Sequence, residues 1–315
     1  MNDKLPSPLR GVVTATITPL RDDGTLDEAG LERLIEHLIG GGVHGLFILG
    51  TTGEAPALPY SVRIAVIKET CKLAGNRVPV MVGITDTSYK ESIDLAARAY
   101  EAGAMSVVAA PPYYYRVNQA DLLHYFADLA SQVPIPLFLY NAPLNTHHSL
   151  EVETVIRAAE EPNIMGLKDS SLNMGYFHMV RAALRDFPAF NLLVGPDDLL
   201  AEAVLLGAHG GMAAGSNVWP ALFVALYEAA AAGNLKGVAA LHQQVLQFDA
   251  ATYLSADYQA NPLRGLKCAL SLIGICGSAV ARPLRPYSNA ERAKVLRYLE
   301  GVDVCSTPQL SGAAS

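Results

Sequence analysis

The chain has 315 residues, of which 51% are apolar and 17% charged, enough hydrophobic material to bury one large core. A formal net charge of −7 argues against a nucleic-acid partner, which needs a concentrated basic face. Four cysteines, Cys71, Cys268, Cys276 and Cys305, show neither CxxC nor CxxH spacing, so reduced thiols in a cytoplasmic protein are expected rather than a disulfide framework or a zinc site.

From Met1 to Leu9 there are charges and two prolines but no apolar run, so no secretory signal is read there. No stretch approaches the about 18 uninterrupted apolar residues of a membrane span. Two textures then alternate. Short β-rich runs fall at Val12–Thr18, Gly45–Leu49, Val78–Ile84, Ser106–Ala109, Ile135–Tyr140, Ile164–Lys168, Asn191–Val194 and Gly210–Ala214. Between the first two, Leu31, Leu34, Ile35, Leu38 and Ile39 recur at the spacing of a helix resting on a sheet. Ser88 followed by Glu91 predicts a capping box at the start of another helix.

Runs that are apolar throughout and bounded by Gly, Pro, Asn or Asp are strands buried on both faces, and their alternation with helices implies parallel pairing. Eight such units predict an α/β fold of the (β/α)8 TIM-barrel type over 1–232. No strand follows Gly233. Helical segments at Asn234–Ala256, Pro262–Cys276 and Ala290–Gly301 are expected to form a C-terminal appendage over 233–301, and 302–315 a tail without fixed structure.

Active sites of such barrels lie at the C-terminal ends of the strands. The second run leads into Gly50-Thr51-Thr52-Gly53-Glu54, whose glycines allow a tight turn that offers amides and hydroxyls to a carboxylate or phosphate. No Gly-Lys-Ser/Thr follows, so it is not a P-loop. The fourth run leads to Pro111-Pro112-Tyr113-Tyr114-Tyr115, three phenols suited to a subunit contact, to catalysis or to both. Tyr140 closes the fifth run, where a phenol can relay a proton; the plainer alternative is an amphipathic boundary residue. Lys168 closes the sixth and is the only lysine at a predicted strand end. Most loop lysines are solvated, but one pushed into the dry mouth of a barrel is favoured as the free amine that attacks a carbonyl. The neighbouring His147 and His148 point apart, and His147 shares a face with Glu151 only if a helix begins at His147, so these residues are read as pocket lining or helix caps and not as a metal site.

Gly50-Thr51-Thr52-Gly53-Glu54, Pro112-Tyr113-Tyr114, Tyr140-Asn141-x-Pro143 and Gly166-Leu167-Lys168-Asp169, in this order and at these intervals, resemble the dihydrodipicolinate synthase / N-acetylneuraminate lyase family. The likeness extends over about residues 10–300, including Gly195-Pro196-Asp197-Asp198 and the region from Asn261-Pro262 to Pro286. It implies that Lys168 is a Schiff-base lysine and Tyr140 the phenol that moves protons over the imine. It implies that Thr51 links the proton relay and, with Thr52, Gly50 and Gly53, binds the carboxylate of pyruvate. Tyr114 is similar to a tyrosine that family members insert into a neighbouring subunit, so a homodimer or homotetramer is implied. So is the absence of any metal or organic cofactor. Asn145, Asp197, Asp198, Gly211, Met212 and Ser216 are expected to line the rest of the substrate pocket.

Dihydrodipicolinate synthases carry Arg where Asn145 stands, and an amide does not replace a bidentate cation. Sialic acid lyases carry other residues at Thr51-Thr52 and Ser216-Asn217. Asn145-Thr146 is similar to aldolases that cleave 4-hydroxy-2-oxoglutarate or 2-oxo-3-deoxy sugar acids, and an activity of that kind is expected. Two alternatives stand beside it: 4-hydroxy-tetrahydrodipicolinate synthase, and a catalytically silent relative that binds small acids.

Overall fold

The structure, a computed structural model, describes residues 8–253, 261–304, 306 and 308. Strands β1 (Gly11–Ala15), β2 (Gly45–Ile48), β3 (Val80–Gly83), β4 (Ser106–Ala109), β5 (Leu137–Asn141), β6 (Ile164–Asp169), β7 (Asn191–Val194) and β8 (Gly210–Gly211) form a closed parallel barrel in chain order. Around it lie α1 (Glu28–Gly40), α2 (Tyr60–Ala74), α3 (Tyr89–Glu101), α4 (Gln119–Gln132), α5 (Pro143–Thr146), α6 (Val152–Ala159), α7 (Met174–Ala183), α8 (Leu200–Leu205) and α9 (Pro220–Ala231). This is the (β/α)8 barrel that the alternating texture predicts, followed by α10 (Leu235–Thr252), α11 (Asn261–Leu272) and α12 (Asn289–Leu299).

Alternation along each strand splits the core in two. Val13, Phe47, Met81, Phe138 and Leu193 fill the barrel interior. Val12, Leu46, Val82, Leu139 and Leu167 face the helices. Both faces are apolar, which is why the runs lack a polar alternation. Leu9 packs with the interior set, its amide donating to Asn191 Oδ1 at 2.5 Å. The α1 stripe is buried at Leu31, Leu34, Ile35 and Leu38, with Ile39 at its margin, and Asp27 caps the helix through the Gly30 amide at 3.1 Å.

Two local expectations change. Ser88 is the N-cap of α3 but makes no side-chain cap bond, because its own amide, which Glu91 would need, donates to Asp86 Oδ1 at 3.0 Å. The capping box forms instead at Ser288 and Glu291, opening α12. The eighth strand is two residues long and not Gly210–Ala214, because the Ala214 and Gly215 amides turn away to the Asp197 carboxylate at 2.7 and 2.6 Å.

Helix α10 ends at Thr252, and the expected extension from Leu254 to Ala256 lies outside the described residues. Helix α11 stops at Leu272, leaving Cys276 buried in a non-helical stretch. The C-terminal helices pack on the barrel's helical shell, Phe248 of α10 lying edge-to-face with Phe223 of α9 and Tyr298 of α12. At the start of 302–315, Val304 is buried and the Trp219 indole donates to Ser306 O at 3.2 Å, contacts that a structureless tail does not make. Cys71, Cys268 and Cys276 are free thiols, and Cys305 lies outside the described residues. Among those residues no helix is long and apolar enough to cross a membrane.

Candidate active site

At the C-terminal end of the barrel, β5 and β6 place Tyr140 directly opposite Lys168. The register depends on a bulge. Leu137 pairs with Ile164 but Phe138 pairs with Gly166, so Met165 is an extra residue on β6. An unbulged ladder would put Lys168 opposite Asn141, on the outward row; the bulge turns it inward beside Tyr140. Glycine is required at 166, where a Cβ would lie 2.6 Å from the Phe138 ring and 2.7 Å from Asn191.

Lys168 and Tyr140 are buried, at 4% and 7% exposure. The Lys168 ammonium lies 4.4 Å from the centre of the Tyr140 ring and 4.9 Å from that of Phe47, within cation–π range of both. Burial pushes the Tyr140 phenol up, but the Lys168 charge and hydrogen bonds with Thr51, Ser170 and Lys168 outweigh it and hold the phenol below its ordinary value. Thr51 Oγ1 stands 3.3 Å from Tyr140 Oη. An amine, a phenol and a hydroxyl thus converge, as carbonyl attack coupled to proton transfer requires.

One position further along, Asn141 Nδ2 donates to Asp169 Oδ1 at 2.8 Å, and Asn141 Oδ1 accepts from the Leu150 amide at 3.0 Å. Burial pushes the Asp169 carboxyl up against the hydrogen bonds from Asn141 and Ser171. This pair locks the two strands just beyond the reactive row and ties them to the loop after α5.

The turn after β2 carries Gly50, Thr51, Thr52 and Gly53, with Thr51 exposed and Thr52 half-buried. Gly53 fits because a Cβ there would lie 2.8 Å from the Leu49 amide nitrogen. Its carbonyl accepts from Thr18 Oγ1 at 2.7 Å.

The other expected site residues are more dispersed. Tyr114 is 76% exposed, edge-to-face with Tyr115 at 5.1 Å. Asn145 is exposed on α5. Met212 joins the barrel interior, whereas the Cβ direction of Gly211 meets Leu200 in the helical layer. Asp197 was expected to bind substrate, but its carboxylate accepts from two backbone amides and from Tyr253 Oη at 3.0 Å. Asp198 offers its backbone carbonyl to His242 Nε2 at 2.8 Å. Ser216 is fully buried, its hydroxyl 2.9 Å from Thr14 Oγ1 and 2.8 Å from Ala213 O on the outward side of β1. Asp197 and Ser216 therefore brace the β7 and β8 loops.

His147 is the left-handed residue closing α5. His148 is buried, its Nε2 accepting from the Val117 amide at 2.9 Å while Nδ1 lies 2.7 Å from Thr146 O. The backbone amide forces the proton onto Nδ1. His148 thus fastens the chain below the tyrosine segment to the loop after β5. Among the described residues no group of three or more His, Cys, Asp or Glu is placed to hold a metal ion.

Glu54, Lys267 and Phe47 carry no role in the sequence reading. Glu54 is buried and ion-paired with Lys267 of α11. The charged residue closing a Gly-Thr-Thr-Gly turn was the available signal.

The sequence profile of the dihydrodipicolinate synthetase family matches residues 8–301. A solved dihydrodipicolinate synthase from Bacteroides thetaiotaomicron superposes with a TM-score of 0.91 at 47% identity, covering 94% of this chain and 99% of that one. The 4-hydroxy-tetrahydrodipicolinate synthase of Aromatoleum aromaticum is 34% identical over 289 residues, 91% of this chain and 96% of its own. An Escherichia coli protein named probable 2-dehydro-3-deoxy-D-pentonate aldolase is 34% identical over 260 residues, 82% of this chain and 86% of its own. With the profile spanning the barrel and running through α12, the chain belongs to the dihydrodipicolinate synthetase family and is an enzyme of its lyase class.

Proposed function

We propose that the chain is a class I aldolase that holds pyruvate, or a longer 2-oxo acid, as a Schiff base on Lys168. The observation that carries the reading is the buried Lys168–Tyr140 pair with Thr51 beside it. The Lys168 amine adds to the 2-oxo carbon and water leaves, giving an iminium. In the cleavage direction the C4 hydroxyl of a 4-hydroxy-2-oxo acid loses its proton, the C3–C4 bond breaks, and its electron pair moves into the iminium to give an enamine and an aldehyde. Protonation at C3 and hydrolysis then release pyruvate and restore the amine. Tyr140 and Thr51 carry protons in the addition and dehydration steps, the phenol being the more effective for its lowered pKa. Thr52, Gly50 and Gly53 offer the turn that receives the carboxylate.

The favoured substrates are 2-oxo-3-deoxy sugar acids or 4-hydroxy-2-oxoglutarate. Asn145 supports the sugar acids, which have one carboxylate, since it brings no cation for a second, and so does the likeness to the E. coli protein. A second reading is 4-hydroxy-tetrahydrodipicolinate synthase, favoured by the names of the B. thetaiotaomicron and A. aromaticum relatives. Arg116, exposed beside the tyrosine segment, is a cation available to that reaction. Tyr114 supports assembly into a homodimer or homotetramer in which a second copy covers its exposed ring.

Borohydride with pyruvate should add one pyruvate-derived mass to Lys168, and Lys168→Ala should take none. An unlabelled wild type sinks the Schiff base. The substrate is decided by comparing kcat/KM for cleavage of 2-oxo-3-deoxygluconate and 4-hydroxy-2-oxoglutarate with that for condensation of pyruvate and aspartate semialdehyde. Efficient condensation with the semialdehyde returns the chain to the second reading.

A further inference from the structure

Two non-glycine residues in left-handed backbone conformations bracket the Gly50–Gly53 turn, Leu49 at φ 56° and Glu54 at φ 59°. Such conformations persist only where the surroundings over-determine them. At Glu54 the determinant is ionic. One carboxylate oxygen pairs with the Lys267 ammonium of α11, and the other accepts from the Ala281 amide at 2.6 Å. Lys267 has no exposed surface, and its ammonium also donates to Ala279 O at 2.8 Å. One carboxylate therefore joins the turn after β2 both to α11 and to the chain that follows it.

Stability alone does not account for this pair. Replacing a buried ion pair by apolar groups of equal volume is often neutral or stabilising, whereas removing one partner strands a charge. What the pair supplies is a fixed position. The C-terminal end of the turn is then held twice, by Thr18 on the Gly53 carbonyl and by Lys267 on Glu54. Between the anchors and Tyr140 stands Thr51, its Oγ1 3.3 Å from the phenol oxygen. That separation is already long for an O–H···O bond, so a small shift of the turn breaks it.

We propose that Lys267 is a positioning residue of the active site: through Glu54 it sets the turn that holds the Thr51 hydroxyl against Tyr140, and so couples the C-terminal helices to proton transfer. The inference rests on the roles proposed above for Lys168 and Tyr140.

The test uses the full-length chain with Lys267→Met, Glu54→Gln and the double variant, which strands no buried charge. Two quantities are read: the rate constant of borohydride trapping with pyruvate per trappable Lys168, and backbone hydrogen exchange over residues 50–55. The single variants should trap about ten- to a hundredfold more slowly per site, the scale of a mispositioned group, and the turn should exchange faster. The double variant should recover thermal stability but not the trapping rate. A wild-type rate per trappable site, or wild-type exchange in the turn, overturns the proposal and leaves the pair as a fold contact. If Lys267→Met does not fold, the double variant decides in the same way. If the wild type takes no pyruvate label, the Schiff-base reading fails, and exchange alone decides the coupling.

Discussion

Lys168 faces Tyr140 across the β5–β6 ladder, its ammonium nitrogen 4.4 Å from the centre of the phenol ring, and this charge opposes the effect of burial on the phenol. Lys168→Met should therefore raise the Tyr140 pKa, since burial remains and the compensating cation is gone. Phenolate absorbance titration checks this, with Tyr140→Phe identifying the signal. An unchanged titration in Lys168→Met would mean that the two groups do not interact.

Tyr140→Phe keeps the ring that packs edge-to-face on Phe47 at 6.3 Å, so the fold should hold. Turnover should fall about 10²-fold or more, the scale of a placed acid–base group. Steady-state kinetics beside a thermal melt separate the two effects, and near-normal turnover removes Tyr140 from the mechanism.

Asn145→Arg should raise kcat/KM for condensation with aspartate semialdehyde by about tenfold or more, as a charge-assisted contact to a carboxylate predicts. Cleavage of 2-oxo-3-deoxygluconate should not improve with it. Equal gains on both substrates would show that position 145 does not discriminate between them.

Asp249 Oδ1 is buried without a hydrogen-bond partner among the described residues, and burial together with the charges of Asp197 and Asp198 pushes its carboxyl up to about 9. Asp197 is pushed up to about 6 by burial, despite its hydrogen bonds. The folded state then holds more protons than the unfolded chain, whose carboxyls titrate near about 3.9. Stability must fall as pH rises through that window. Asp249→Asn should flatten the dependence, giving a Tm gain over wild type that is larger at about pH 9 than at about pH 6. Parallel Tm curves for the two proteins would refute the assignment.

The barrel and the placing of Lys168 beside Tyr140 at its mouth were legible because both rest on local signals. Short two-faced apolar runs mark strands, and a lysine or tyrosine ending such a run lies at the mouth. The bracing bonds of Ser216 and Asp197 were not legible because a polar residue near a strand end reads alike whether it meets a ligand or braces a loop. Only the partners decide, here Thr14 and the Ala214 and Gly215 amides. Lys267 was illegible for a similar reason: its helix shows apolar periodicity, but nothing local names a partner in the turn after β2. Ser88 misled because Asp86, two residues earlier, takes the amide that a capping box needs.

The extra residue at Met165 makes the direction of Lys168 a matter of parity. Side chains along β6 alternate between cavity and shell except at the bulge, which takes up Met165, so the count of residues with that one left out decides which side receives Lys168. Substitutions at Met165 leave that count intact and should be tolerated in proportion to packing. Deleting Met165 leaves it intact as well: Gly166 stays opposite Phe138 and Lys168 opposite Tyr140 on a plain ladder, with the amine still in the cavity. A relative with a gap at 165 would therefore show the same motifs and deliver its amine to the same place, whereas a β6 straightened with all its residues in place would turn Lys168 to the helical shell.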